Sequence, residues 1–410
     1  MSLRILLLSQ YYDPEPFKGD ALGGGLVRRG HRVTAVTGFP NYPLGRTYEG
    51  YRQRPWQWER RRGVRVLRLP MYPDHTRSAV RRALTYGTFA ASASTLGPAL
   101  CGPQDVMWVY HPPLTVAGPA LAISRLRRVP FVLEIQDLWP ETLAATGMVG
   151  SPRLLGAVGR AAMALYRRAS ALVVISEGFK RNLAAKGVPA DKVHVIPNWA
   201  DEEVYRPVAP DPALARRWGL EGRFNVMFGG NLGPAQGLGT VLDAADRLRG
   251  LPDVQLVLVG EGVDREGLER SAAERGLTNV RFLPRQPPEA MPALYALADA
   301  LLLHLRRDPL FEITIPSKTL AYLACGRPVL CAVPGDAAEA VLGAGAGVAC
   351  PSEDPAALAE AVRTLHAMPS LRREAMGAAG RAAYLALYSQ EGAIGRYEAL
   401  LARVARRGKA

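Results

Sequence analysis

Short apolar runs alternate along the chain with longer stretches in which apolar and polar positions mix at helical spacing. In the first half the runs Arg4–Ser9, His31–Thr37, Val64–Leu69, Val106–Tyr110, Phe131–Ile135, Ala171–Ser176 and Val193–Pro197 read as strands, and Ala83–Leu100, Pro152–Arg168 and Gly178–Lys186 read as helices between them. The rhythm restarts in the second half with strands at Asn225–Gly229, Gln255–Val259, Val280–Leu283, Ala300–His304, Pro328–Cys331 and Ala346–Ala349. Near-continuous apolar strands separated by helices predict α/β domains whose parallel sheets are covered on both faces. The Pro- and acid-rich stretch Pro197–Pro212 separates the two series, and Ser370–Arg407 reads as one long Ala/Arg-rich helix. Because a chain of 410 residues exceeds what one core usually serves, the expected division is 1–200, 201–385 and a helical tail 386–410 returning to the N-terminal domain. Two doubly wound domains of this kind take ligand at the carboxyl ends of their strands, which predicts a binding cleft between them. No short-period repeat is visible, which excludes a solenoid.

Composition adds little until charge is divided along the chain. Hydrophobic residues at 48% and charged ones at 21% are ordinary for a globular protein and exclude a disordered one. Cys101, Cys325, Cys331 and Cys350 form no CxxC pair and read as reduced thiols of a cytoplasmic protein. The opening MSLRILLLSQ is too short in its apolar run for a signal peptide and reads as a buried strand. No stretch reaches the ~18–20 unbroken apolar residues that span a bilayer. Residues 1–200 hold 27 Lys and Arg against 12 Asp and Glu, net +15, whereas residues 201–410 hold 24 against 25, net −1. Within 28–82 alone stand 14 Arg against Glu49, Glu59 and Asp74, with Tyr42, Tyr48, Tyr51, Trp56, Trp58 and Tyr72 interleaved. Such a surface suits anionic lipid headgroups, a polyprenyl diphosphate or nucleic acid. The two halves therefore meet different partners.

Two segments carry candidate chemistry. Phe224–Gly239 (FNVMFGGNLGPAQGLG) reads as a strand, a Gly-rich turn and a helix start, where backbone N–H groups approach a phosphate and a helix N-terminus adds positive potential. Leu310–Val329 (LFEITIPSKTLAYLACGRPV) places Pro316 so that Ser317 and Lys318 open a helix, with free N–H groups and an ammonium directed to the same place. A diphosphate fits there. Glu312, just upstream, is placed to accept hydrogen bonds from sugar hydroxyls.

These segments, with Gly30-His31, Gly38–Tyr51, His111-Pro112-Pro113, Asp137–Glu141 (DLWPE), Ile196–Asp201 (IPNWAD) and Cys325–Pro328, resemble family 4 of the retaining glycosyltransferases along nearly the whole chain. The likeness is to the subgroup of L-fucosamine-type transferases, which add amino-deoxysugars in O-antigen and colanic-acid assembly. It implies a GT-B fold, with acceptor on the N-terminal domain and nucleotide-sugar, UDP-linked, on the C-terminal one. It further implies Glu312 as donor-sugar ligand, and Lys318 with the turn Gly230, Asn231, Leu232 and Gly233 as diphosphate ligands. Gln236, Ile315, Pro316 and Ser317 belong to the same donor motifs. His111 would stand near the reacting sugar, and Asp137, Trp139, Tyr42 and Arg46 on the acceptor side. The implied partners are a nucleotide-sugar, a lipid-linked glycan and an anionic membrane surface at the inner leaflet. No metal, cofactor or nucleic acid is called for.

Three departures from the resemblance stand out. Asn231 and Gln236 occupy places where many members carry an Arg and a Lys, so Lys318 bears the cationic burden. The ribose-holding second glutamate falls on Leu320 by spacing or Ala321 by local motif, with Glu339 as a candidate substitute. Gly23-Gly24-Gly25 interrupts the first helix, where each Gly costs ~1 kcal/mol against Ala; this reads as a weak helix or a gated loop. Rival readings are a GT-B nucleotide-sugar 2-epimerase, which needs no acceptor, and a polyanion-binding protein using Arg28–Arg82.

Overall fold

The structure is a computed structural model that describes residues 2–76, 78–145 and 150–408. By packing, the chain forms two units. The first comprises Met1–Ile175, Phe179–Ile196 and Ile394–Ala410, and the second Ser176–Gly178 and Pro197–Ala393.

The first unit is built on eight strands: β1 (Arg4–Leu8), β2 (Arg32–Gly38), β3 (Gln57–Arg61), β4 (Val64–Leu69), β5 (Val106–His111), β6 (Phe131–Ile135), β7 (Ala171–Val174) and β8 (Val193–Val195). They lie in the order β3-β4-β2-β1-β5-β6-β7-β8, all parallel except the β3/β4 hairpin. The central strands are buried on both faces, Ile5 to Leu8 completely so, and this is why they are legible as apolar runs. β3 (QWERR) has no such run. It pairs only with β4 through the turn at Arg62 and Gly63, both at positive φ, and Trp58 lies under the Arg65 guanidinium at 4.7 Å. Nor is every arginine of this region a surface charge. Arg68 is wholly buried, bonded to Glu59 and to the carbonyls of Gly38 and Asp13.

The helix Gly19–Arg28 is regular despite its three glycines. A Cβ on Gly23 would stand 2.7 Å from the Tyr12 hydroxyl, and one on Gly25 2.5 Å from Ile394 Cδ1. Neither a gated loop nor a weak helix accounts for them; they let the helix lie against β1 and the last helix. That last helix, Gln390–Arg407, is held in the first unit through Tyr397, whose hydroxyl donates to buried Glu134 at 2.7 Å. Glu134 also accepts from Trp108 Nε1 at 2.8 Å and pairs with Lys18. Removing one partner of such a buried pair typically costs about 3–5 kcal/mol.

The second unit carries six parallel strands: β9 (Phe224–Gly229), β10 (Val254–Val259), β11 (Val280–Leu283), β12 (Ala300–His304), β13 (Val329–Ala332) and β14 (Gly347–Ala349), in the order β11-β10-β9-β12-β13-β14. Alternation along the strands splits the core into two layers. Met227, Val257, Leu301 and Cys331 face the helix Ser317–Ala324, and Phe228, Leu256, Leu302 and Leu330 face the helices Gly239–Arg247 and Pro355–Ala367. The expected continuous helix over Ser370–Arg407 is interrupted. Ser370–Ala383 runs into a π turn, Tyr384–Tyr388, and Ser389 is extended before the last helix begins. Buried Tyr384 hydrogen-bonds backbone groups of Ala200 at 3.1 Å, and this side-chain anchor accompanies the break.

Both sheets reverse their strand order once, between β1 and β5 and between β9 and β12. All four cysteines are free, with burial raising the Cys325 thiol to about 12. Among the described residues no helix is long and apolar enough to cross a membrane, and no group of His, Cys, Asp and Glu is placed to hold a metal ion.

A candidate donor site in the second unit

The carboxyl end of β9 opens into the turn Gly229–Gly233 at the strand-order reversal. Gly230 N donates to Val259 O at 2.9 Å and Leu232 N to Glu261 O at 2.8 Å, so the turn lies against the loop 260–262. The approach is close enough that a Cβ on Gly260 would stand 1.8 Å from Gly230 O. From the other side the helix Ser317–Ala324 begins at Pro316, whose extended backbone ends any helix upstream. Its first N–H groups have no intrahelical carbonyl to reach. Lys318 crosses to the turn: its Nζ lies 3.9 Å from the centre of the Phe228 ring and donates to Gln236 Oε1. Its Cε occupies the space where a Gly230 side chain would be, 2.6 Å from an ideal Cβ. Burial without a carboxylate partner lowers the ammonium to about 7.

These groups form one wall of a cavity of about 680 Å³. Of the donor residues read from sequence, Gly230, Asn231, Ser317 and Lys318 line it, whereas Leu232, Gly233, Gln236, Ile315, Pro316 and Glu312 do not. Gln236 instead acts behind the wall, holding the ammonium. Glu312 ends the short helix Pro309–Glu312 and is exposed. Ala321 lines the cavity, whereas buried Leu320 does not. Glu339 lies outside the lining; the carboxylates that line it are Asp201 and Glu261. The remaining walls come from 199–205, 260–262 and 285–295. Those segments carry no sequence signal beyond IPNWAD.

In the first unit the candidates gather differently. His111 ends β5 fully buried, with the ring of Trp139 at 6.0 Å and that of Tyr166 at 6.3 Å. Burial lowers His111 to about 4 and raises Asp137 above the ordinary carboxylate value. Tyr42 is half-buried against Tyr11, Phe17 and His75, while Arg46 is exposed. Tyr42 N and Asn41 N both donate to Glu15, a buried carboxyl missed by sequence reasoning and pushed up to about 7 by desolvation.

Comparison with known proteins decides the family. Residues 20–199 match the glycosyl transferase 4-like domain and residues 213–383 the glycosyl transferases group 1 domain. Over 79% of this chain and 82% of its own length, the putative colanic acid biosynthesis glycosyl transferase WcaI of Escherichia coli K12 is 31% identical. The chain belongs to the group 1 glycosyltransferases. A GDP-mannose-dependent phosphatidylinositol monomannoside mannosyltransferase of Mycolicibacterium smegmatis is 29% identical over 67% of this chain and 78% of its own. Among solved structures, sucrose-phosphate synthase of Thermosynechococcus elongatus superposes with a TM-score of 0.74 at 19% identity, covering 98% of this chain and 99% of that one. Anabaena HepE in complex with UDP gives 0.72 at 18%, covering 98% and 100%. These likenesses establish the GT-B fold, two Rossmann-like domains with a helical tail.

The Lys318 environment gives this glycosyltransferase a pH signature. If Lys318 holds a diphosphate, as proposed below, it does so as the charged ammonium, which burial in the free protein confines to pH below about 7. Affinity is therefore fully present below that value and falls as pH rises through it, by up to about tenfold per pH unit while binding takes up a proton. Calorimetric titration of UDP at a series of pH values should show this slope, and Lys318→Met should flatten it.

Proposed function

We propose that this chain is a retaining, metal-independent glycosyltransferase that moves a sugar, of the N-acetylated amino-deoxyhexose class, from a UDP-linked donor to a polyprenyl-diphosphate-linked glycan in cell-envelope polysaccharide assembly. The observation that carries the reading is the convergence of the Lys318 ammonium, the N-terminus of its helix and the Gly230 turn on one cavity wall. A departing nucleoside diphosphate is stabilised by such preorganised charge. On this reading the bond from the anomeric carbon to the diphosphate oxygen breaks as the acceptor oxygen bonds to the same face. The acceptor's proton passes to the departing phosphate oxygen, so no protein base is required. The colanic-acid relative supports the polysaccharide context, and the UDP complex of a fold neighbour supports the nucleotide.

An inner-leaflet location is supported by the first unit's surface. Leu44, Trp56, Tyr72, Val80 and Leu84 are exposed among Arg46, Arg52, Arg54 and Arg81. Apolar tips set among cations suit an anionic bilayer surface; Trp58, half-buried beneath Arg65, contributes less.

The test is a panel of UDP-, GDP- and dTDP-sugars, screened first for a rise in Tm and then for transfer to a polyprenyl-diphosphate glycan with product analysis. Product formed without acceptor would point to epimerisation instead. Within the transferase, Glu312→Ala should leave UDP affinity within about twofold but lower transfer more than about tenfold, because Glu312 is assigned to the sugar and not to the nucleotide. Equal loss of both would remove that assignment.

A further inference from the structure

The wall that carries Lys318 has a second layer behind it. Strand β12, paired with β9 at the reversal of strand order, ends at His304, which is completely buried. Its Nδ1 lies 2.6 Å from Gln236 O. A backbone carbonyl only accepts, so Nδ1 carries the proton and donates. Two residues on, Arg306 N donates to Ala235 O at 3.0 Å. These bonds tie the short turn Pro234–Gln236 to the exit of β12. Gly237, at φ of +60°, permits the approach: a Cβ there would stand 3.3 Å from His304 Cε1 and 3.4 Å from Arg306 Cα. From the tied turn the Gln236 side chain crosses to Lys318, and its Oε1 accepts from Nζ.

The tie has a cost. With the proton on Nδ1, the lone pair of His304 Nε2 is buried without a partner, and such a group costs about 1–3 kcal/mol. An apolar side chain would avoid that cost but would leave Gln236 O unheld. The choice of an amide oxygen for Lys318 is equally specific. Among the described residues the ammonium meets the Gln236 oxygen and the Phe228 ring but no carboxylate. An amide oxygen accepts a hydrogen bond without neutralising the charge, so the charge stays available to an anion; a carboxylate in its place would compete with that anion.

We infer that Gln236 and His304 are positioning residues for the donor diphosphate: His304 fixes the turn 234–236, and the Gln236 amide oxygen, so fixed, holds the Lys318 ammonium at the Gly230 turn. The inference rests on the diphosphate assignment made above. Neither residue lines the cavity, so both act through Lys318. Few other ionisable groups surround the pair. The turn 230–236 and Phe228 on β9 bring none, and the exit of β12 brings His304 and Arg306. Burial holds His304 below its ordinary value, with Glu353 opposing and Lys318 reinforcing. Asp201, Glu261 and Arg285 stand elsewhere on the cavity lining.

The test is calorimetric titration of UDP and of uridine, in the full chain, over a pH series spanning about 7. Gln236→Met keeps length and bulk but removes the acceptor, so the fall in UDP affinity should move to lower pH. Gln236→Glu sets a carboxylate against the ammonium. It should move the fall to higher pH while lowering UDP affinity about tenfold on the acid side, because the new ion pair competes with the diphosphate. His304→Phe keeps a ring but removes the donor and should weaken UDP several-fold. His304→Asn, whose amide N–H takes the place of Nδ1, should restore most of that loss. Uridine affinity should stay within about twofold throughout, since none of these groups is assigned to the nucleoside. Opposite displacements of the pH dependence by Gln236→Met and Gln236→Glu are a result that a packing role would not produce. Should His304→Phe fail to fold, the two Gln236 variants decide. The inference is overturned if both Gln236 variants keep the wild-type pH dependence, if they move it in the same direction, or if His304→Asn weakens UDP as much as His304→Phe. Failure of the diphosphate assignment is distinct: wild type itself would then bind UDP no more tightly than uridine.

Discussion

Lys318→Ala should abolish most sugar transfer, by about 10²–10³-fold, the scale on which removal of one preorganised donor to a developing negative charge is felt. The fold should survive. Lys318 is desolvated without a carboxylate partner, and its contacts are the Phe228 ring and the Gln236 amide oxygen. Removing an ammonium so placed relieves a desolvation cost rather than breaking an ion pair, so Tm is expected within a few degrees of wild type. Residues 230–236 (GNLGPAQ) contain no lysine or arginine, so no other cation of the turn compensates. Initial rates with the preferred donor, read beside a melting curve, check the prediction. Near-wild-type turnover would take away the electrostatic account of the leaving group.

The second large effect is expected from one methyl group. Gly230 has φ of +144°, where side chains are rarely tolerated, and a Cβ there would meet Lys318 Cε at 2.6 Å. Gly230→Ala therefore strains the backbone, at a cost on the order of 1–3 kcal/mol, and displaces the ammonium. We expect nucleoside-diphosphate affinity to fall more than about tenfold. Because the methyl acts largely through Lys318, its effect on affinity in a Lys318→Ala background should be much smaller than in wild type, as coupled neighbours are non-additive. Full additivity, measured by titration of the two single variants and the double, would mean that the turn and the lysine act separately.

Why some of this was legible in the sequence and some was not follows from where each signal resides. The parallel strands are legible to within a residue or two because both faces are buried, and burial on both faces leaves an apolar run such as LVLV at 256–259. β3 was missed for the converse reason: it is an edge strand whose Trp58 packs under Arg65, so nothing in QWERR looks buried. In the sequence alone Gly23 and Gly25 read as a weak helix or a gated loop. Their function is close approach to Tyr12 and Ile394, and Ile394 lies far away in sequence. The helix break at Ser389 carries no proline or glycine, and its side-chain anchor is a contact between Tyr384 and Ala200.

The candidate site divides in the same way. Pro316-Ser317-Lys318 announced a helix start, since proline's restricted backbone marks that boundary wherever it occurs. The walls at 199–205, a loop, and 285–295, a loop leading into the short helix Met291–Tyr295, are brought together by the fold, with no local pattern to betray them. Basic composition overstated the surface of the first unit, because Arg68 is a buried partner of Glu59 and not a lipid-facing charge.

The central claim, that the turn at Gly230 and the Lys318 ammonium together hold a diphosphate, is tested most directly by calorimetric titration of wild type and Lys318→Met with UDP and with uridine at a pH below about 7. Wild type should bind UDP at least about a hundredfold more tightly than uridine, and Lys318→Met should erase most of that difference while leaving the uridine affinity unchanged. Equal binding of UDP and uridine by wild type, or a preference for UDP that survives the substitution, would contradict it.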